Sequence, residues 1–140
     1  MEERNKQEIL KKIIQKKAII TSDQHKIISM RGQESKWIFD FRKVFLSPKS
    51  LALVTDIFWN MLEKEYPFQL GGQELAAVPL ISALILKSQQ SGKPVNGFII
   101  RKSRKKTGLQ KIIEGEINEE KIILIDDLIN SGDTIIRQLE

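Results

Sequence analysis

The chain has 140 residues, of which 41% are hydrophobic and 29% are charged, the composition of a single globular domain. It contains no cysteine and one histidine, His25, which excludes disulfides, thiolate chemistry and a multi-histidine metal site. No apolar run reaches the roughly 20 residues that span a bilayer, and residues 1–5 contain no apolar signal core, so we expect a cytoplasmic protein with no membrane partner.

The first predicted element is an amphipathic helix over residues 5–17, in which apolar side chains recur at helical spacing. Three short β-leaning runs separated by polar turns follow at residues 18–21, 26–30 and 37–41. Ser47 and Pro48 are typical of a helix start, with serine as the N-cap and proline at the first helical position. We expect this helix to end near Tyr66.

The second half of the chain alternates between strands and helices. The predicted strands cover residues 68–70, 95–100 and 121–125. The predicted helices cover residues 77–90 and a segment that begins near Ser131. The last strand is apolar on both faces, which is typical of a parallel strand covered by helices on each side. The sequence therefore predicts an α/β fold built on a parallel sheet.

The most specific segment of the chain is 122–134. Four apolar residues lead into two adjacent carboxylates, Asp126 and Asp127, and a short loop then opens a helix. Ligands of open α/β sheets bind beyond the carboxyl ends of the strands, which is where this loop is expected. The N–H groups at a helix start suit a phosphate, whereas carboxylates repel phosphate and suit hydroxyl groups. A phosphate next to a diol describes a ribose 5-phosphate.

The net charge of +5 comes from one segment, 101–111, and the rest of the chain is close to neutral. The segment contains no acidic residue and six basic ones: Arg101, Lys102, Arg104, Lys105, Lys106 and Lys111. A basic patch of this kind is suited to bind phosphate groups. A merely solvated loop or a nucleic-acid-binding patch stays open as an alternative, although no aromatic residue is interleaved with these cations, as single-strand binding favours.

These segments resemble the motifs of type I phosphoribosyltransferases, and of orotate phosphoribosyltransferases in particular. Segment 122–134 resembles the phosphoribosyl-pyrophosphate (PRPP) motif, four apolar residues and then D-D-x-x-T-x-G-x-T. R-K-S-R-K-K-T-G at 101–108 followed by I-I-E-G at 112–115 resembles the mobile basic loop, R-K-x-x-K-x-H-G. Segment 71–80 is similar to the pyrophosphate loop, G-x-E-x-G-G-x-P-L, and segment 35–48 resembles the region whose hood covers the base.

The resemblance implies four groups of site residues. The catalytic group comprises Arg101, Lys102, Lys105, Asp126 and Asp127, the two aspartates contacting the ribose hydroxyls. The group that holds the 5-phosphate comprises Asn130, Ser131, Gly132, Asp133 and Thr134. The pyrophosphate loop contributes Gly72, Gln73, Glu74 and Ala76. The base hood contributes Arg31 and Phe39.

The function that the resemblance implies is transfer of the 5-phosphoribosyl group from PRPP to orotate, with release of pyrophosphate, in pyrimidine nucleotide synthesis. Mg²⁺ is the implied cofactor, bound through PRPP rather than by a set of protein ligands. The implied architecture is an N-terminal helix with hood strands over residues 1–45 and a phosphoribosyltransferase core over residues 46–140. Members of the family continue for one or two strands beyond the point matching Glu140, so we expect a C-terminally incomplete fold and a homodimer or a partner chain.

A second interpretation stays open on the same fold. The family pattern has histidine where this chain has Thr107, threonine where it has Asn130, and glycines where it has Ala76 and Ala77. Met30 stands where a lysine is expected. These differences favour a catalytically weakened regulatory or effector subunit that binds PRPP or a nucleotide. A third interpretation is the nucleic-acid-binding module, which we expect to be the least fitting.

Overall fold

The computed structural model describes residues 2–23, 26–28, 32–103, 111–129 and 132–139. The chain divides into two compact units, Met1–Ile57 and Phe58–Glu140. Within the described ranges, no helix is both long enough and apolar enough to cross a membrane. The elements are α1 (Glu3–Lys17), β1 (Ile19–Thr21), β2 (Trp37–Phe39), α2 (Arg42–Phe45), α3 (Pro48–Leu62), a 3-10 turn (Glu63–Glu65), β3 (Gln69–Gln73), α4 (Ala77–Gln90), β4 (Gly97–Ile100), β5 (Ile113–Gly115), β6 (Ile122–Leu124) and α5 (Asp133–Leu139).

The first unit contains a two-stranded antiparallel ladder in which Ile19 pairs with Phe39. The ladder extends by one residue, to Ala18 before β1 and Asp40 after β2, since the N–H of Asp40 donates to the carbonyl oxygen of Ala18 at 2.7 Å. The run predicted as a strand over 26–30 forms only an isolated bridge between Ile28 and Glu34, and residues 29 and 30 lie outside the described part. The short helix α2 was not predicted, because its four residues give no helical period to read.

The predicted helix start at Ser47 and Pro48 agrees with the structure, where α3 begins at Pro48. The carbonyl oxygen of Ser47 accepts the N–H of Leu51 at 2.8 Å, which closes the first turn. The hydroxyl oxygen of Ser47 accepts a hydrogen bond from Lys17 Nζ at 3.1 Å. The helix ends at Leu62 and a 3-10 turn continues to Glu65, close to the end expected at Tyr66.

The second unit contains a four-stranded sheet in the order β5-β4-β3-β6. β3 is parallel to both β4 and β6, as predicted, whereas β5 is antiparallel to β4. β5 is antiparallel because it follows β4 directly in sequence and starts beside the end of β4, where Ile113 pairs with Ile100. A parallel pair would need a crossover connection, usually a helix. β5 was not predicted, since its three residues lie in a polar stretch. The sheet is therefore mixed and the α/β fold is confirmed.

The core of the second unit lies between β3 and α4. Phe68 and Leu70 of the β3 segment and Leu80, Ile81 and Leu84 of α4 are almost completely buried. The helix was predicted over the same residues, 77–90, because its apolar positions fall on one face. These contacts fix α4 against the strands, so the loop between β3 and α4 has both of its ends held.

One buried polar side chain in β3, Gln69, connects this strand to the turn that precedes β6. Its Nε2 donates to the carbonyl oxygens of Asn118 (2.9 Å) and Glu120 (2.8 Å), and its Oε1 accepts the N–H of Asn118 (3.1 Å). All three of these hydrogen bonds join the Gln69 side chain to backbone groups, as the backbone of a neighbouring strand would do. It fixes where β6 starts relative to β3.

Candidate active site

Three of the predicted motifs follow strands that end at the same edge of the sheet. Since β3, β4 and β6 are mutually parallel, their carboxyl ends at Gln73, Ile100 and Leu124 lie at one edge. β5 is antiparallel and so begins at that edge, with Ile113 paired to Ile100. The pyrophosphate loop, the start of the basic segment 101–111 and the acidic pair therefore leave the sheet together, at the edge where α/β proteins bind ligands.

The acidic pair is positioned by a continuation of the β3–β6 ladder. The N–H of Ile125 donates to the carbonyl oxygen of Gly71 at 2.8 Å, and the Ile125 side chain is buried. Asp126 and Asp127 follow and are both half-buried. The N–H of Asp127 donates to Asp126 Oδ1 at 2.9 Å, which ties the two residues into one turn.

The environment of the acidic pair disfavours a second negative charge. Burial raises the pKa of Asp127 above its ordinary value, and the hydrogen bond and the charge of Asp126 raise it further. Two carboxyl groups that are this close and partly out of water are stabilised in their ionised form when a cation or a pair of hydroxyl donors reaches them. The geometry therefore suits the recognition of a ribose diol, the role predicted for these two residues.

The pyrophosphate loop starts with a close backbone approach. A Cβ atom at Gly72 would lie 2.6 Å from the Ile125 carbonyl oxygen and 2.6 Å from the Cβ of Ala77, so only glycine fits there. The N–H of Glu74 donates to the Ile100 carbonyl oxygen at 2.9 Å, and the peptide bond that follows Glu74 is cis. Ala76 has φ −68° and ψ −36°, so alanine at this position adopts an ordinary helical conformation without strain.

The start of the basic segment is held by acidic partners. Arg101 Nη1 lies 3.8 Å from Glu74 Oε2 and 3.6 Å from Glu114 Oε1. The N–H of Lys102 donates to Glu74 Oε1 at 3.0 Å, while the Lys102 side chain is exposed. Lys105 and the position of the family histidine, Thr107, lie outside the described residues. Glu114 was not predicted as part of the site, and its only sequence signal is its place in the I-I-E-G stretch.

Part of the predicted 5-phosphate loop is described. Gly132 has φ +86°, the left-handed conformation that favours glycine, and its carbonyl oxygen accepts the N–H of Ile136 at 3.0 Å. Asp133 begins α5 and is exposed. Asn130 and Ser131 lie outside the described residues, as does the side chain of Thr134. The described part of the loop is thus a glycine with positive φ that leads into α5, and its role in binding the 5-phosphate stays a prediction.

The two predicted hood residues belong to the first unit. Phe39 packs against Trp37 and Phe41, with ring centroids 5.1 Å and 5.7 Å apart. With Leu10 and Ile14 of α1 it lines an apolar cavity of about 420 Å³. Arg31 lies outside the described residues. The contacts of Phe39 are those of a packing residue, and its predicted role against the base stays a prediction.

No family model matches the chain. The chain is 31% identical over 135 residues to the orotate phosphoribosyltransferase of Pyrococcus furiosus, an alignment that covers 94% of this chain and 70% of the relative. It is 36% identical over 110 residues to the orotate phosphoribosyltransferase of Pyrococcus abyssi, covering 76% of this chain and 57% of the relative. The chain therefore spans between about half and three quarters of the length of such relatives.

Solved structures agree with these relatives in fold. A crystal structure of the orotate phosphoribosyltransferase of Mycobacterium tuberculosis superimposes with a TM-score of 0.74 at 20% identity, covering 96% of this chain and 74% of that chain. The crystal structure of that enzyme in complex with PRPP matches with a TM-score of 0.58 at 21% identity, covering 72% and 56%. The fold predicted from the motifs is confirmed, and the chain belongs to the orotate phosphoribosyltransferase family.

Proposed function

We propose that the protein transfers the 5-phosphoribosyl group of PRPP to orotate, forming orotidine monophosphate and pyrophosphate in pyrimidine nucleotide synthesis. The observation that carries the proposal is the meeting of three segments at one edge of the sheet. These segments are the acidic pair, the pyrophosphate loop and the start of the basic segment, and they follow β6, β3 and β4. Relatives named orotate phosphoribosyltransferase, with identities of 31% and 36%, support the choice of substrate.

The bond between C1 of the ribose and the pyrophosphate oxygen breaks, and its electron pair leaves with the pyrophosphate. A ring nitrogen of orotate bonds to C1 and loses its proton to the pyrophosphate or to water. Asp126 and Asp127 accept hydrogen bonds from the ribose hydroxyls and hold C1 in place. Arg101, Lys102 and Lys105 neutralise the charge that develops on the leaving group. In this scheme, residues 130–134 hold the 5-phosphate, as the motif implies.

The residues present fit the Mg²⁺ ion that this family is expected to use. Among the described residues, no group of three or more histidine, cysteine or acidic side chains could hold a metal by itself. Mg²⁺ usually keeps several waters and binds substrate phosphates, so PRPP itself would supply its main ligands, and the half-buried carboxylates of Asp126 and Asp127 add favourable negative charge beside it. When bound, the ion would lower the negative charge of the pyrophosphate group.

The proposal extends to the assembly and the location of the protein. Ile136 and Leu139 lie one turn apart on α5 and are 55% and 72% exposed. An exposed apolar face of this kind favours association with a second copy or a partner chain, so we propose a homodimer, which sedimentation at micromolar concentration would detect.

We also propose that residues 1–45 form the base-covering hood of a core at 46–140. A cytoplasmic location is supported by the absence of cysteine from the sequence.

The proposal is tested by calorimetry with PRPP and Mg²⁺ and by a pyrophosphate-release assay with orotate. Replacing both Asp126 and Asp127 by asparagine should weaken PRPP binding about ten- to a hundredfold, the effect of losing charged hydrogen-bond acceptors. Asp56→Asn is a matched control, because Asp56 lies on α3, outside the proposed site segments, and pairs with Lys6. Equal binding by the double variant and the wild type would contradict the site. PRPP binding without orotate turnover would support the regulatory interpretation instead.

A further inference from the structure

A carboxylate in a pyrophosphate loop needs an explanation, because it repels the anion that the loop is expected to bind. Glu74 is such a residue, and its side chain is 29% exposed. Both of its carboxylate oxygens are directed at the start of the basic segment. Oε1 accepts the N–H of Lys102 at 3.0 Å, and Oε2 lies 3.8 Å from Arg101 Nη1. The carboxylate therefore faces one guanidinium group and one backbone N–H.

Glu74 also extends the sheet by one residue. The last registered pair of the β3–β4 ladder is Gln73 with Ile100, and the N–H of Glu74 donates to the Ile100 carbonyl oxygen at 2.9 Å. Glu74 thus contacts three consecutive residues where the chain leaves β4: the carbonyl group of Ile100, the guanidinium group of Arg101 and the N–H of Lys102. Main-chain and side-chain contacts together fix this exit.

We propose that Glu74 is a positioning residue for phosphoribosyl transfer. It fixes the first two cations of the basic segment at the pyrophosphate loop, a role that rests on the proposed function. Lys102 has an exposed side chain, so the direction in which its ammonium group can reach is set by its backbone, which Glu74 holds. A segment with six cations repels itself, and one fixed acidic contact at its start lowers that cost before an anion binds.

Arg101 has a second acidic partner, Glu114. This partner makes it possible to test the Arg101 ion pair separately from the Lys102 hydrogen bond. Glu114 Oε1 lies 3.6 Å from Arg101 Nη1, from the neighbouring strand β5. Glu74 thus contacts both the Arg101 side chain and the Lys102 backbone, whereas the described contact of Glu114 is with Arg101. Replacing Glu114 by glutamine removes one charge near Arg101 and leaves the Lys102 hydrogen bond in place, which makes it the matched control.

The experiment compares Glu74→Ala, Glu74→Gln and Glu114→Gln with the wild type. Amide hydrogen exchange at Lys102 reports the hydrogen bond without any need for turnover. We expect exchange at Lys102 to be about tenfold or more faster in Glu74→Ala, and near wild type in Glu74→Gln, whose amide oxygen still accepts the N–H. Glu114→Gln should leave this exchange unchanged. Thermal unfolding of each variant checks that the fold is retained.

Function is measured by affinity for inorganic pyrophosphate and by kcat with PRPP and orotate. Misplacing a catalytic group by about 1 Å can cost up to about a hundredfold, and we expect a tenfold loss of both quantities in Glu74→Ala, with KM for orotate unchanged. Glu74→Gln should rescue both to within about threefold. A Glu74→Ala protein that matches the wild type, or a Glu74→Gln protein as impaired as Glu74→Ala, would overturn the proposal. A wild type that neither turns over orotate nor binds pyrophosphate would contradict the proposed function, whatever the exchange result.

Discussion

A Cβ atom added to Gly72 would lie 2.6 Å from the carbonyl oxygen of Ile125, the residue immediately before Asp126. The contact joins the pyrophosphate loop to the acidic pair through backbone atoms that cannot turn aside as a side chain can. We therefore expect Gly72→Ala to cost about 1–3 kcal/mol of unfolding free energy, measured by urea denaturation, because the strands have to shift. PRPP binding should weaken with it, since β3 and β6 position the site.

The matched control is Gly92→Ala. Gly92 has φ +71° and no atom within 4 Å of an added Cβ, so alanine there meets only the cost of a left-handed conformation, about 1 kcal/mol. PRPP binding should be unchanged in this variant. If Gly72→Ala were no more destabilising than Gly92→Ala and bound PRPP normally, the close approach would not be what positions the two loops.

Asp127 should make PRPP binding depend on pH. Because burial and then Asp126 raise its pKa, Asp127 takes up a proton at a higher pH than an ordinary aspartate does. In the proposed site its ionised form accepts the ribose hydroxyls, so we expect the affinity for PRPP to fall as the pH is lowered through this raised pKa. In Asp126→Asn, which removes a hydrogen bond and a charge that raise the pKa, the fall should move to a lower pH.

The same shift has the opposite consequence for stability. A carboxyl group with a raised folded-state pKa contributes stability below its unfolded pKa, and that contribution is lost as the pH rises through the folded-state pKa. At neutral pH the ionised Asp127 therefore destabilises the fold, and Asp127→Asn should raise Tm while it weakens PRPP binding. The gain in Tm should shrink as the pH falls through the raised pKa and vanish below about pH 4, where aspartates in the unfolded chain are also protonated. A Tm difference independent of pH would contradict this account.

Salt dependence distinguishes a small anionic substrate from a nucleic acid. A polyanion that engages six or more cations loses about a thousandfold or more in affinity between 50 and 200 mM salt. Pyrophosphate engages only the few cations that reach one site, so we expect its affinity to fall less than about tenfold over this range. Tight, steeply salt-dependent binding of a single-stranded oligonucleotide would favour the nucleic-acid interpretation of segment 101–111.

Gln69 should be more important for stability than its place on a strand suggests. Replacing it with leucine keeps the volume but removes the three hydrogen bonds to Asn118 and Glu120. We expect a loss of about 1–3 kcal/mol in urea unfolding, because backbone groups lose their partners. Gln90→Leu, at the exposed end of α4, is the control and should change stability by less than about 0.5 kcal/mol.

Local patterns in the sequence were sufficient for the elements that position the site. The apolar run before Asp126 and the helical period of 77–90 each predict one element, and both elements are found. The cover on both faces predicted for the last strand is wrong at Ile122, which is exposed, because β6 lies at an edge of the sheet. The antiparallel β5 has three residues and depends on its neighbour β4 for its hydrogen bonds. Short segments of this kind carry no period of their own.

Contacts between distant residues are the other part that sequence could not supply. Glu74 and Lys102 are 28 positions apart, and nothing in the sequence of either segment indicates that the Glu74 carboxylate accepts the backbone N–H of Lys102. The motif places Glu74 in a pyrophosphate loop, which by itself suggests a contact with the substrate. Only the register of β3 against β4 directs the side chain to the basic segment instead.

Gln69 holds the amino end of β6, and the hydrogen bond from Ile125 to Gly71 holds its carboxyl end. Neither contact involves the segment between Arg101 and Ile112, so that segment can change in length or composition while Asp126 keeps its position. Lengthening a loop adds little closure cost, about 0.6 kcal/mol for each doubling. If the proposed roles hold, substituting basic segments of different charge should alter the affinity for the leaving group while the proposed ribose site at Asp126 and Asp127 is retained.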